Sequence, residues 1–489
     1  MFPAFPSGRV ALLAIVVAVA SASPVFGFTQ SGTTFTTTGL QADVSAAIAA
    51  ATDGCVIRIP TGTFTWGASR SAIAVNKAVV LEGAGPGNTI INLDPTGPTG
   101  TTATIQITAA ATIKGFTLNG AASVVAFSTS TTSGWRITDI TYNAGTDTAY
   151  FCFVDQGYGL IDSCNITGGG GTDELIFVRG PLNSWQTPNS LGGANNTFIE
   201  DCTFNGPGYV CDANANARVV VRFCTITGQM KIDGHGFASN SPRGIREIEV
   251  YNNHWTYNAS GAFWEIELRG GTGMVFNNVS DMTSAGLAWY SLTDYGYQAI
   301  WPNFGSQYQT PLNYPLTDQI GVGTDPKAEA SEPMYSWNNL QNGAKWPRSL
   351  KTVNAGAITL YQQQIANLAA TFTEADIIKA DRDVYLDLTV SGTFNGSTGV
   401  GTGSTAAMNA ITPPAQNSVP KYPDGTTNPN RVGFWVTDQG SWNTKLGANQ
   451  SGELYVWNGS SWMLKYVPYT YPHPQRAPIA PTNLRISTP

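Results

Sequence analysis

A short pattern of apolar and polar positions recurs through the middle of the chain. The segments IKGFTLNG, ITDITYNA, IDSCNITG, IEDCTFNG, VRFCTITG, VYNNHWTY and VFNNVSDM begin at Ile113, Ile137, Ile161, Ile199, Val221, Val250 and Val275. Their fourth position holds Phe116, Ile140, Cys164, Cys202, Cys224, Asn253 and Asn278, with gaps of 24, 24, 38, 22, 29 and 25 residues. Strand side chains alternate between faces, so each segment predicts a short strand with an inward apolar set. A period of 22 to 25 residues fits one turn of a three-strand solenoid, and the longer gaps add a surface loop. Stacked coils bring equivalent residues to about 4.8 Å. Cys164, Cys202 and Cys224 then form an inward ladder, which MYSWNNLQNG resumes at Asn339. Leucine-rich repeats share the period, but their Leu spacing is missing. The pattern predicts an all-β parallel β-helix.

The flanks read differently. Residues 1–27 have the form of a signal peptide: Arg9 precedes the apolar VALLAIVVAVA, and cleavage is expected near Gly27. The mature protein is therefore expected to be secreted, periplasmic or on the cell surface. The β-helix is assigned 28–345, with an aromatic, Pro-rich loop after Asn278. Residues 346–430 combine a helical stretch, ITLYQQQIANLAA, with a flexible linker over Ser391 to Pro429. Residues 431–475 contain two aromatic hairpins, one turning at Asn458-Gly459, and 476–489 form a tail. Trp435, Trp442, Trp457 and Trp462 of the hairpins either stack on sugar rings or cover the end of the solenoid.

Composition sharpens this. Abundant Gly (53 residues) and only 12% charged residues suit many short strands and turns. A net charge of −7 without a basic stripe excludes a nucleic-acid binder. No later segment is apolar enough to span a membrane, and a monomer is expected. The six cysteines show no metal-site CxxC spacing and are compatible either with disulfides or with small buried apolar side chains.

The stretch DVSAAIAAATDGCVIRIPTGTFTW followed by LEGAGPGNTIINL resembles the start of proteins in the pectate-lyase-like β-helix superfamily. The resemblance covers Asp43 to Asn339. It implies a right-handed single-stranded parallel β-helix with an N-terminal helical cap, including Ala46 to Ala51, and here a C-terminal aromatic β-hairpin cap region. It is specific for fold and not for reaction, since the superfamily holds lyases, hydrolases, esterases and adhesins.

A β-helix offers no deep pocket, so a site must be assembled from outward residues of adjacent coils. The strands GTDELIFVRG, GPGYVCDANAN, GQMKIDGHG and AFWEIELRGG place Glu174, Arg179, Tyr209, Asp212, Lys231, Asp233, His235, Glu265, Glu267 and Arg269 in one outward patch. Lys231 or His235 is a candidate base for β-elimination from an acidic, uronate-containing polysaccharide, with Asp233 beside them. Arg243 and Arg246 are candidates to neutralise the uronate carboxylate; calcium held by Asp212, Asp233 and Glu267 is the alternative. Hydrolysis by paired carboxylates drawn from the same three residues is a second reading. Tyr209, Arg179, Arg269, Trp264 and Trp185 are substrate-binding candidates, Trp185 as a platform on the 179–193 loop. The string GHG resembles the histidine motif of polygalacturonases, and Cys211 to Gly236 resembles the alginate lyase and chondroitinase B family; only His235 matches in either case. A non-catalytic glycan-binding protein is the remaining class.

Overall fold

In the computed structural model, parallel strands wind around one apolar interior in three stacked sheets. The structure describes residues 27–145, 150–170, 174–236, 243–256, 265–281, 290–291, 318–323, 330–346, 350–351, 378–387, 393–416 and 427–477. The leader-like segment up to residue 26, most of the aromatic loop, the helical stretch of 355–370 and Trp264 lie outside them. A representative coil is Arg218–Arg222 in sheet one, Thr225–Thr227 in sheet two and Met230–Gly234 in sheet three. The next coil repeats it as Glu247–Tyr251, His254–Trp255 and Ile266–Leu268. Register is kept on all three sides: Val221 pairs with Val250, Ile226 with Trp255 and Ile232 with Ile266. The helix Gln41–Ala50 buries Val44, Ala47 and Ile48 beside the first strands.

Between sheets one and two the chain turns on one left-handed residue per coil. Asp139, Ser163, Asp201, Phe223, Asn252, Asn277 and Asn338 occupy this corner at φ between 51° and 56°. Asn and Asp tolerate the conformation because their short side chains bond locally. Phe223 does not have that help and is held by stacking on Tyr471, with ring centroids 3.6 Å apart. The next residue is the repeat's fourth position, and it points inward as the pattern predicts. Asn253 accepts from the Cys224 amide at 3.0 Å and donates to Val221 O at 2.9 Å. Asn278 and Asn339 repeat both bonds one coil on. The amides thus satisfy backbone groups that the corner takes out of the ladder. All six cysteines are buried free thiols.

Sheet one is buried on both faces, because the C-terminal segment lies against its outer side. Tyr251, Phe276 and Trp337 stack coil upon coil at 4.6 and 4.5 Å. Trp435, Trp442, Trp457, Tyr466 and Tyr471 cover them. Val400–Gly403, Gly433–Val436, Glu453–Trp457 and Trp462–Tyr466 form a four-stranded sheet that carries Trp435, Trp457 and Tyr466, while Trp442 and Tyr471 come from the segments beside its strands. Two expectations change. The aromatic hairpins cover the flank of the solenoid instead of its end, and Trp435, Trp442 and Trp457 are buried. The segment read as a flexible linker contains a strand and the helix Thr405–Asn409, and Val384–Leu386 adds a parallel strand to sheet one.

Ion pairs fix this cover. Glu200 and Arg222 are fully buried and bonded at 2.6 Å, while Arg222 also donates to the carbonyls of Tyr469 and Thr470. Glu200 accepts in addition from Arg476 and from the His473 amide. Removing Arg222 leaves the Glu200 Oε2 without its partner in a fully buried place, with Arg476 remaining only on Oε1, the costly way to break a buried pair. Arg222→Ala is therefore expected to destabilise the protein by about 3 kcal/mol or more, read as a lowered urea midpoint.

Candidate active site

The outer face of sheet three gathers the charged residues that alternation predicts there. Met230 and Ile232 lie in the core, so Lys231, Asp233 and His235 take the opposite side. Asp212, Asp233 and Glu267 form one column, since Asp212 pairs with Asp233 and Asp233 with Glu267. Glu174, Tyr209 and Lys231 form the neighbouring column. His235 and Arg269 continue the same face, their amides donating to Ala213 O and Gly234 O at 2.8 Å.

Strict alternation does not bring Tyr209 and Asp212 to one face, because they are three residues apart. A β-bulge does. The register passes from Tyr209–Lys231 to Cys211–Ile232, and both Val210 and Cys211 turn into the core. Bulges re-aim side chains in this way, often beside functional sites. The preceding coils share the device: Leu175 and Ile176 are both inward, as are Phe151 and Cys152. It sets Phe153 and Phe177 outward as a parallel stack 5.1 Å apart, directly before Asp212 in the column. These rings, and Tyr150, whose hydroxyl donates to Glu174 at 3.1 Å, are the site residues that the sequence reading missed.

The charges neutralise one another incompletely. Arg269 bridges Asp233 and Glu267, and Lys231 donates to Glu267 at 2.8 Å with Asp233 3.9 Å away. Lys231 also lies 4.3 Å from the centre of the Tyr209 ring. Two carboxylate oxygens, Asp212 Oδ1 and Asp233 Oδ1, are buried without a hydrogen-bond partner. Burial, reinforced by the charges of Asp233 and Glu174, raises the Asp212 carboxyl well above its ordinary range. Burial raises Asp233 only to about 6, because Arg269 opposes it. Glu174 is raised by burial, opposed by hydrogen bonds from Tyr150 and Asp212. His235 is pushed down to about 4 by burial and by Arg269, so it is neutral at pH 7. Its Nδ1 lies 3.1 Å from Gly236 O, which fits the tautomer with the proton on Nδ1.

Other expectations are corrected. Burial works to lower the Lys231 pKa, but Asp233 and Glu267 outweigh it and raise the value, so Lys231 is a cation and not a base. Arg243 and Arg246 pair with other carboxylates: Arg243 donates to both Asp318 oxygens at 3.0 and 2.9 Å, and Arg246 to Glu332 at 2.9 Å. Trp185 is buried between these guanidinium groups, 4.4 and 5.3 Å from its ring, and cannot serve as a sugar platform. Its loop folds toward sheet one, where the Ser190 and Gly192 amides donate to Glu247 and Glu249. Arg179 is half-exposed and pairs with Asp155 at 3.2 Å. Glu265 leaves the patch and accepts from the buried Ser280 hydroxyl at 3.1 Å. Asp212, Asp233 and Glu267 do not fit calcium, because Arg269 and Lys231 occupy the space between Asp233 and Glu267. Among the described residues no three His, Cys, Asp or Glu side chains converge on a metal position.

No family model matches the chain, and no curated protein matches it by sequence. Among solved structures, the alginate lyase from Paenibacillus sp. str. FPU-7 is similar at 14% identity and a TM-score of 0.37, over 53% of this chain and 97% of that one. A pectin methylesterase in complex with a hexasaccharide is similar at 12% identity and 0.29, over 68% and 94%. The catalytic domain of a GH87 alpha-1,3-glucanase in complex with nigerose is similar at 10% identity and 0.25, over 62% and 63%. Likeness at this level assigns no chemistry, which rests on the residues of sheet three.

Proposed function

We propose that this protein is an extracytoplasmic, right-handed β-helix enzyme that hydrolyses glycosidic bonds by acid–base catalysis on the outer face of sheet three. The observation that carries the reading is the pair of unpartnered buried oxygens on adjacent coils, Asp212 Oδ1 and Asp233 Oδ1. Two carboxyl groups in one column, driven to different protonation states, are what a glycosidase needs. Asp212, its carboxyl raised well above the ordinary range, is the acid for the leaving oxygen. Asp233, ionised beside Arg269, is the base or nucleophile. Glu174, hydrogen-bonded to Asp212, returns the proton. The stacked Phe153 and Phe177 supply an apolar floor on which a sugar ring lies next to the carboxyls.

Elimination is the second reading, favoured by one observation: neutral His235 sits beside Arg269, a base next to a cation. It has lost two supports, since Lys231 is held charged and both Arg243 and Arg246 are committed to carboxylates elsewhere.

A panel of neutral and acidic polysaccharides separates the two. Hydrolysis is expected to release reducing ends with no ultraviolet-absorbing unsaturated uronate; an unsaturated product would establish elimination. Asp212→Asn is expected to lower kcat by about 100-fold or more while circular dichroism stays unchanged. Full activity in that variant would remove Asp212 from the mechanism.

The same substitution carries a stability signature. The folded-state pKa of Asp212 lies above its unfolded value, so its contribution is present at low pH and lost as pH rises. Asn does not titrate. The melting temperature of Asp212→Asn relative to the parent is therefore expected to rise from pH 5 to pH 8, a trend that calorimetry at the two pH values checks.

A further inference from the structure

At the corner between sheets one and two, opposite the charged face, a cleft of about 270 Å³ opens between the coils and the C-terminal sheet. Three left-handed residues, Asn252, Asn277 and Asn338, line one side in successive coils. Their spacing is that of stacked strands, about 4.8 Å, comparable with the length of one pyranose unit. Trp435 and Trp442 line the other side with Gln450. Among the described residues, none that lines the cleft carries a charge.

The backbone alone does not explain the asparagines. The same corner position is Asp139, Ser163 or Asp201 in earlier coils, at the same φ. Asp therefore satisfies the turn, yet three of the four corner residues that line the cleft are neutral amides, the fourth being Phe223. Asn338 donates to Asn277 at 2.6 Å, which aligns the amides in a row. Among the described residues the side-chain amides of Asn252 and Gln450 make no hydrogen bond, so both present a donor and an acceptor outward. Gln450 is exposed, and Asn252 half-buried.

We propose that this cleft binds a neutral oligosaccharide, at a site separate from the catalytic face of sheet three. Sugar hydroxyls both donate and accept, and an amide offers both functions in one plane. A carboxylate-bearing sugar finds no cation here and loses its water without replacement. The proposal does not depend on the reaction at sheet three, because it uses none of those residues.

The test titrates the full chain with cellohexaose, laminarihexaose and maltohexaose, and with hexagalacturonate as the acidic probe, by isothermal calorimetry. At least one neutral hexasaccharide is expected to bind, and hexagalacturonate to bind at least about tenfold more weakly. The double variant Asn252→Asp, Gln450→Ala keeps a residue that tolerates the left-handed turn and is expected to raise the Kd of the neutral ligand by about tenfold or more, the loss of one or two hydrogen bonds. Its melting temperature is expected to stay at the parent's, which separates lost binding from lost fold. Asp212→Asn, on the opposite face, is expected to leave this affinity unchanged. The proposal is overturned if no neutral hexasaccharide binds, if hexagalacturonate binds as tightly, or if the double variant binds like the parent.

Discussion

The structure depends on one constraint: each coil must sit in parallel register on the one before it, at the spacing of hydrogen-bonded strands. A side chain's neighbours are then the residues one coil away, and every position becomes a column. Inside, columns of Ile, Val, Cys and Asn match themselves well. The amide row of Asn253, Asn278 and Asn339 shows how a buried polar column is tolerated, with each group bonded above and below. Outside, the same geometry forces Asp212, Asp233 and Glu267 together. Arg269 and Lys231 offset two of the three charges, and burial together with the remaining repulsion raises the Asp212 carboxyl well above its ordinary range. Perturbed carboxyls concentrated at one place on a charge-poor surface are a mark of function more than of stability.

Much of this was legible in the residue pattern. The repeat gave the strands and the inward ladder, and alternation gave the outward trio of Lys231, Asp233 and His235 and the pair Glu267 and Arg269. The bulge was not legible. Counting back from Phe177 in steps of two puts Leu175 outward and Glu174 inward, the reverse of what is found. Counting back from Asp212 gives the same false answer, with Val210 outward and Tyr209 inward. Backbone irregularity of this kind leaves no periodic trace, because it is the interruption of the period that does the positioning.

The arginines failed for another reason. Arg243 and Arg246 follow the histidine strand closely in sequence, which made them look like neighbours of the site. Their partners, Asp318 and Glu332, lie 75 and 86 residues further on. Trp185 looked like an exposed loop aromatic, yet its ring is enclosed by those two guanidinium groups and its indole donates to Gly244 O at 3.0 Å. Proximity along the chain predicts a contact only within a strand or its turn; for loops, the cover is chosen by segments that arrive much later.

Sheet one carries a signal that explains the division of labour. Strands buried on both faces read as near-continuous apolar runs, and Val219, Val220 and Val221 form one. Where polar residues occur in that sheet, as at Glu200 and Arg222, they meet the C-terminal segment and not water. On sheet three the outward carboxyls are buried among one another and beside Arg269 and Lys231, and that burial is the largest cause of the raised pKa values of Asp212 and Asp233. Asp212 and Asp233 begin as the same side chain in adjacent coils of one column. Only Asp233 bonds Arg269, and only Asp212 shares a hydrogen bond with Glu174. A one-coil difference in partners therefore gives two identical side chains in one column different surroundings: Arg269 opposes the rise of the Asp233 carboxyl, while Asp233 and Glu174 add to that of Asp212.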